Sequence, residues 1–255
     1  MNKFKSMFYL NLRSRMRDGF AIGYNVIFPM IMIFLLGLLC KGAFQGEITG
    51  YQYYGVVIVP YCTAMAVVTA AYAGKDDAYA KTSDRIMIAP VSVFTIVISK
   101  IFAETVIFVG CTIGVLILED ILSGLEIFSY FLEFVVLYTS FSFLVAALGT
   151  YIGLGMKDFM KIKNFITIPI SIFAILGGSF YRFGTLNQGF QLLINLSPLT
   201  WINRSIFLMI YDQKSQLLWL ISGLMILIAL IFTVLGIVLF KKEEYGNGEL
   251  PGYEK

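Results

Sequence analysis

Apolar residues in this chain come in long runs that polar residues hardly interrupt. Six such runs cover Phe20–Leu39, Tyr53–Ala73, Thr95–Leu118, Phe134–Met156, Phe165–Tyr181 and Leu217–Phe240. Each comes close to the roughly 20 residues of helix that cross a hydrocarbon core about 30 Å thick. Only a helix satisfies its own backbone polar groups in lipid, so the runs predict helices rather than strands. Five of them contain no Lys, Arg, Asp or Glu, and the third carries Lys100 and Glu104 near one end. A charge at the centre of a span costs about 2.5–3.5 kcal/mol, while a Leu or Phe returns only about 0.3–0.6. Charge exclusion over this length therefore predicts an all-α membrane protein with six transmembrane helices in a single domain, with the bundle over residues 20–240.

The segments between the runs add detail. Residues 1–19 place Phe4, Met7, Phe8, Leu12 and Met16 at spacings of three to four among Lys and Arg. That pattern predicts an amphipathic helix lying in the headgroup plane and leading into the first span. The most polar internal stretch runs from Gly74 to Pro90, with Lys75, Asp76, Asp77, Lys81, Asp84 and Arg85. Its mixed charge suits a protein contact better than lipid headgroups, and Pro90 stops any short helix before it. Lys100 and Glu104, one turn apart at the start of the third span, can neutralise each other. Gly110-x-x-x-Gly114 and Gly149-x-x-x-Gly153 offer small-residue faces for close helix packing. Between the fifth and sixth runs lie about thirty residues too apolar for solvent, including Phe190, Leu193, Trp201 and Ile206, split by Pro198. They predict two short helices dipping into the outer leaflet as a re-entrant hairpin.

Composition agrees with the pattern. The chain has 255 residues, 58% hydrophobic and only 14% charged, with mean hydropathy +0.82. A soluble domain would be about a quarter charged. Of the 19 Lys and Arg, 15 fall on alternate segments that include both termini and four on the others. Basic residues mark the cytoplasmic side, so both termini, including the 241–255 tail, are expected inside. These residues do not suggest nucleic-acid binding, because topology alone places them there. The first run is followed by no small-residue cleavage site and reads as a retained span. Histidine is absent and the three cysteines, Cys40, Cys62 and Cys111, are scattered. That removes Ser-His-Asp chemistry, His-based metal sites and a disulfide framework, so no metal site and no catalytic residue are expected. No G-x-x-x-x-G-K-[ST] occurs: the only Gly-Lys pair, Gly74-Lys75, is followed by Asp76.

The order of these pieces resembles the permease subunits of ABC-2 type exporters. The likeness rests on the basic amphipathic start and on Asp84-Arg85-Ile86-Met87-Ile88-Ala89-Pro90-Val91-Ser92 with Ser99-Lys100 after it. It also rests on Gly177-Gly178-Ser179-Phe180-Tyr181 at the end of the fifth run, and above all on Leu196-Ser197-Pro198-Leu199-Thr200-Trp201. Arg182 stands where the family often has proline. The resemblance implies a transport subunit that hydrolyses nothing itself. ATP and Mg would be held by a separate ABC ATPase, and a second permease, the same chain or a paralogue, would complete the assembly in the cytoplasmic membrane. It implies that the segment Lys75–Arg85 couples to the ATPase, that spans two and five line the path, and that the hairpin at Pro198 and Trp201 gates it. On the path side, Tyr61 and Thr69 of span two and Ser171, Phe173 and Phe180 of span five offer aromatic and hydroxyl groups. Such linings suit a hydrophobic or amphipathic cargo, such as an antibiotic-like natural product. A lipid-linked glycan is the next candidate, and a self-sufficient secondary transporter is the rival from another class.

Overall fold

The computed structural model describes residues 3–44, 48–125, 127–156, 159–180, 188–241 and 245. Lys157, Tyr181, Arg182 and, apart from Lys241 and Tyr245, the tail fall outside them. Among the described residues the chain forms eleven α-helices.

The first helix, α1 (Lys3–Met16), buries Met7, Asn11 and Arg15, spaced four apart. This stripe lies against α6 and is more polar than the apolar face read from the sequence. Met16, expected on the apolar face, is 62% exposed. Next, α2 (Gly19–Leu39) starts where Asp18 Oδ1 accepts the Ala21 N–H at 3.0 Å. Its outer face shows Ile27, Ile31, Phe34 and Leu38, a surface that only lipid or another helix can cover.

The second run becomes α3 (Gly50–Met65) and α4 (Val67–Tyr79), continuous except for a break at Ala66. Thr49 and Gln52 close a capping box at its start. Together they span 30 residues and form the most buried element of the bundle. The expected end at Ala73 is thus six residues short. The helix runs on through Lys75, Asp76 and Asp77, and the two carboxylates find partners on other helices, Asp76 with Arg15 and Asp77 with Lys100. A short helix, α5 (Ser83–Ile88), follows a turn in which Lys81 takes a positive φ of 55°. It ends two residues before Pro90, and Ala89 is extended, as a residue before proline must be.

The third run is α6 (Val93–Ser123), capped by Ser92 and stopped by Gly124 at φ 66°. The fourth is α7 (Phe131–Gly155) and the last α11 (Gln216–Val238). Where α7 crosses α4 the two backbones touch. A Cβ on Gly149 would overlap that of Ala70, and one on Gly153 would strike the Ala71 carbonyl. One on Gly74 would come within 2.9 Å of the Gly153 Cα. Gly110 and Gly114 behave otherwise: a Cβ on either meets nothing within 4 Å, so among the described residues this pair packs against no other helix. Spacing marks a small-residue face but not whether that face points inward.

The fifth run departs most from expectation. Here α8 (Phe159–Leu176) ends five residues before Tyr181, since Gly177-Gly178 turns the chain back, with Gly178 at φ 76°. Its apolar part, Asn164–Leu176, is about 20 Å long and does not span a hydrocarbon core of about 30 Å. Beyond it, α9 (Gln188–Leu196) and α10 (Pro198–Asp212) meet at Ser197, bent by 91°. Among the described residues five elements are long and apolar enough to cross a membrane, and six if this bent pair counts as one span. The six-span expectation is met only if that pair crosses as one span, and the fifth predicted run forms a shorter apolar helix than expected.

Candidate functional site: a buried charge cluster and an exposed elbow

The inner ends of α4 and α6 carry charge, and α1 lies across them. Glu104 on α6 is 1% exposed. The Arg15 guanidinium grips it, with Nε 2.5 Å from Oε1 and Nη2 donating to Oε2 at 3.4 Å. Arg15 Nη1 also pairs with Asp18 at 2.7 Å and Asp76 at 3.5 Å, and Nη2 donates to the Thr69 carbonyl at 3.1 Å. Beside it, Lys100 Nζ lies 2.7 Å from Asp77 Oδ2 and donates to the Ala73 carbonyl at 2.9 Å. Tyr245 Oη donates to the same Asp77 oxygen at 2.7 Å. Burial, and then the Asp77 charge, push the Tyr245 phenol well above its usual range, so it stays a donor. Asn11 Nδ2 reaches Ser99 Oγ at 3.0 Å. Buried charge is tolerable only when paired in this way, and removing one partner costs about 3–5 kcal/mol.

Lys100 and Glu104 were expected to neutralise each other. Instead each takes a partner from another helix. Both lie on the buried face of α6, where α1 and α4 supply better-placed opposite charges. Arg15 and Tyr245 are the members the sequence reading missed. Arg15 was counted only as a basic residue of the N-terminal segment, although Met7, Asn11 and Arg15 share one helical stripe. A lone aromatic in a polar tail carries no such signal.

The six residues read as the ATPase-coupling segment divide in two. Lys75 and Asp77 are buried and Asp76 half-buried, all three on the last turns of α4. Lys81, Asp84 and Arg85 are exposed on the turn and on α5, while Ser83 is buried and Ile86 and Met87 pack against the core. A cleft of about 620 Å³ opens between α1, α4, α5 and α6, with Glu104 and Lys100 among its lining residues.

At the other end of α3 the hydrogen bonds to the turn after α8 join neutral groups, while the buried Glu119 carboxylate of α6 packs against Gly55. Ser179 Oγ donates to the Val57 carbonyl at 3.0 Å, and Tyr53 Oη to that of Gly178 at 2.9 Å. Asn203 Nδ2 donates to the Gly177 carbonyl at 2.8 Å, and Ser197 Oγ to that of Phe173 at 2.7 Å. Tyr61 and Phe180 meet edge to face with ring centroids 5.0 Å apart, and Ser171 hydrogen-bonds the Tyr61 hydroxyl. Of the expected path residues the structure therefore brings Tyr61, Ser171 and Phe180 together. Thr69 is not with them: its carbonyl belongs to the charge cluster and its hydroxyl donates to the Ala66 carbonyl at 2.8 Å. Pro198 opens α10 behind the Ser197 cap. Trp201 donates to the Asn195 carbonyl at 2.8 Å, with Arg204 5.7 Å above its ring, so both expected gate residues lie at the bend.

Residues 2–211 match the family described as ABC-2 type transporter. No curated protein matches the chain. The match covers most of the sequence, and the chain belongs to the ABC-2 type transporter family.

Proposed function

We propose that this ABC-2 family member is the membrane-spanning subunit of an ATP-driven exporter that moves a hydrophobic or amphipathic compound, of the antibiotic-like class, out across the cytoplasmic membrane. Membership makes it a permease of a multi-pass membrane assembly, and the family implies a separate ABC ATPase. A second permease pairs with it, and both termini face the cytoplasm. The observation that carries the coupling reading is the exposed elbow of α5, with Asp84 and Arg85 open to solvent, next to a buried ion-pair cluster that joins three helices. A push on α5 reaches α4 within a few residues, and through Arg15 and Lys100 it reaches α1 and α6. Closure of the ATPase thereby tilts the bundle as a unit. The cargo reading is supported by the Tyr61–Phe180 pair and its hydroxyl neighbours, an aromatic surface without charge.

Charge reversal tests the coupling. With Asp84→Lys, the permease is expected to fold and reach the membrane, while copurifying ATPase and ATP-dependent export into inverted vesicles each fall at least tenfold. The Asp84→Asn variant should lose less. Normal assembly and transport by Asp84→Lys would remove α5 as the coupling element.

A further inference from the structure

We propose that the cleft between α1, α4, α5 and α6 is a binding site for the headgroup of an anionic phospholipid. The proposal rests on the membrane setting and not on the ATPase reading. The cleft is about 620 Å³, room for a phosphate-bearing headgroup, and its lining carries five cationic against three acidic side chains. The charges are not arranged at random. On the inner wall, Arg15 and Lys100 are buried and spent on Glu104, Asp76 and Asp77. The remaining three cations, Arg13, Arg17 and Arg85, are exposed, and among the described residues they form no ion pair. Arginine is the side chain whose planar fork fits phosphate oxygens bidentately.

Depth and neighbours favour a lipid over a soluble acidic partner. Laid along the bilayer normal, the 31 residues of α6 are about 46 Å long, close to the 40–45 Å of a bilayer with its headgroups. Lys100 then lies about 10 Å from the start of that helix, near the junction of headgroups and hydrocarbon. Beside the arginines the cleft is walled by Leu10 and Ile86, and Leu10 is 53% exposed, as is its neighbour Tyr9 at 63%. An acyl chain leaving the cleft meets apolar surface there. Basic pockets between membrane helices bind anionic headgroups by this combination of charge and depth.

The experiment uses the purified full-length chain, with any ATPase that copurifies, in mild detergent. Native mass spectrometry reads retained lipid after exposure to vesicles of equal phosphatidylglycerol and phosphatidylcholine. The wild type is expected to keep phosphatidylglycerol preferentially. Arg13→Gln/Arg17→Gln is expected to keep at least fivefold less, with phosphatidylcholine and ATPase copurification unchanged. The control Lys5→Gln/Lys241→Gln removes the same charge away from the cleft and is expected to behave as wild type. Since Arg13 and Arg17 are exposed, folding is not at stake. As a second reading, phosphatidylglycerol should raise the thermal unfolding midpoint of the wild type but not of the arginine variant. The proposal is overturned by lipid retention in the arginine variant, or by an equal loss in the lysine control. It is equally overturned by complete displacement of lipid with millimolar inorganic phosphate, which would make this a free-anion site. Loss of the ATPase instead of lipid would assign the arginines to a protein contact.

Discussion

The α3–α4 span is fastened at both ends, roughly 36 Å apart along the helix from Tyr53 to Asp77, by different chemistry. At the α4 end, Asp76 and Asp77 are held by Arg15 and Lys100 across two other helices. At the α3 end, Tyr53 and the Val57 carbonyl are tied to the Gly177–Phe180 turn through uncharged groups alone. Between them α7 crosses so closely that Gly74, Gly149 and Gly153 leave no room for a Cβ. The difference teaches where energy is concentrated. Each charged partner at the α4 end supports another buried charge, so one deletion exposes a second group. A neutral tie at the other end, such as Ser179 on the Val57 carbonyl, leaves no charge behind when it is removed. If the ATPase acts on the charged end, as proposed, that end moves as one body while the opposite end is held by weaker contacts.

The largest expected effect comes from Arg15→Ala. It leaves Glu104 buried without its cation and should cost about 3–5 kcal/mol, read as a fall in the unfolding midpoint in micelles. The double variant Arg15→Met/Glu104→Leu, which removes both charges and keeps the volume, should recover most of the loss. If the double variant is as unstable as the single, the pair is not what fastens α1 to α6.

Next comes the crossing between the ends. Gly153→Ala pushes a methyl against the Ala71 carbonyl, a backbone atom that can retreat only by moving α4. Overpacking of this kind costs about 1–3 kcal/mol. Gly110→Ala, on the open face of α6, should change the stability by less than about 0.5 kcal/mol. Equal effects at the two glycines would mean that α6 also packs closely, against a partner outside the chain.

What could be read beforehand follows the same division. The first span was legible almost to the residue, because Asp18 and Lys41 bound an apolar run that has no helix-stopping glycine pair within it. The charged end of the second span was not, since the mixed charge after Ala73 reads as a turn facing a partner protein rather than as part of the helix. Lys75 and Asp77 are buried, and the partner of Asp77, Lys100, comes from another helix, which no local pattern reveals. Half of the segment read as coupling therefore turned inward, and of its six residues Lys81, Asp84 and Arg85 remain exposed. The fifth span was drawn too long because hydropathy does not register that Gly177-Gly178 bends the backbone. The neutral ties at that bend were invisible for a further reason. Their acceptors are backbone carbonyls, which every residue carries.

The smallest expected effect is at those ties. Ser179 is buried and its hydroxyl donates to the Val57 carbonyl, which belongs to a helix and keeps its other interactions. Ser179→Ala removes one such bond and leaves no charge behind. Interhelical hydrogen bonds in membrane proteins contribute about 0.6 kcal/mol on average, so the loss of stability should be near that value. Tyr53→Phe removes a second bond of the same kind, to Gly178, and the double variant should lose about 1.2 kcal/mol if the two ties are independent. A double-variant loss of 3 kcal/mol or more would show that this end is as cooperative as the charged one, and the contrast between the two ends of α3–α4 would fail.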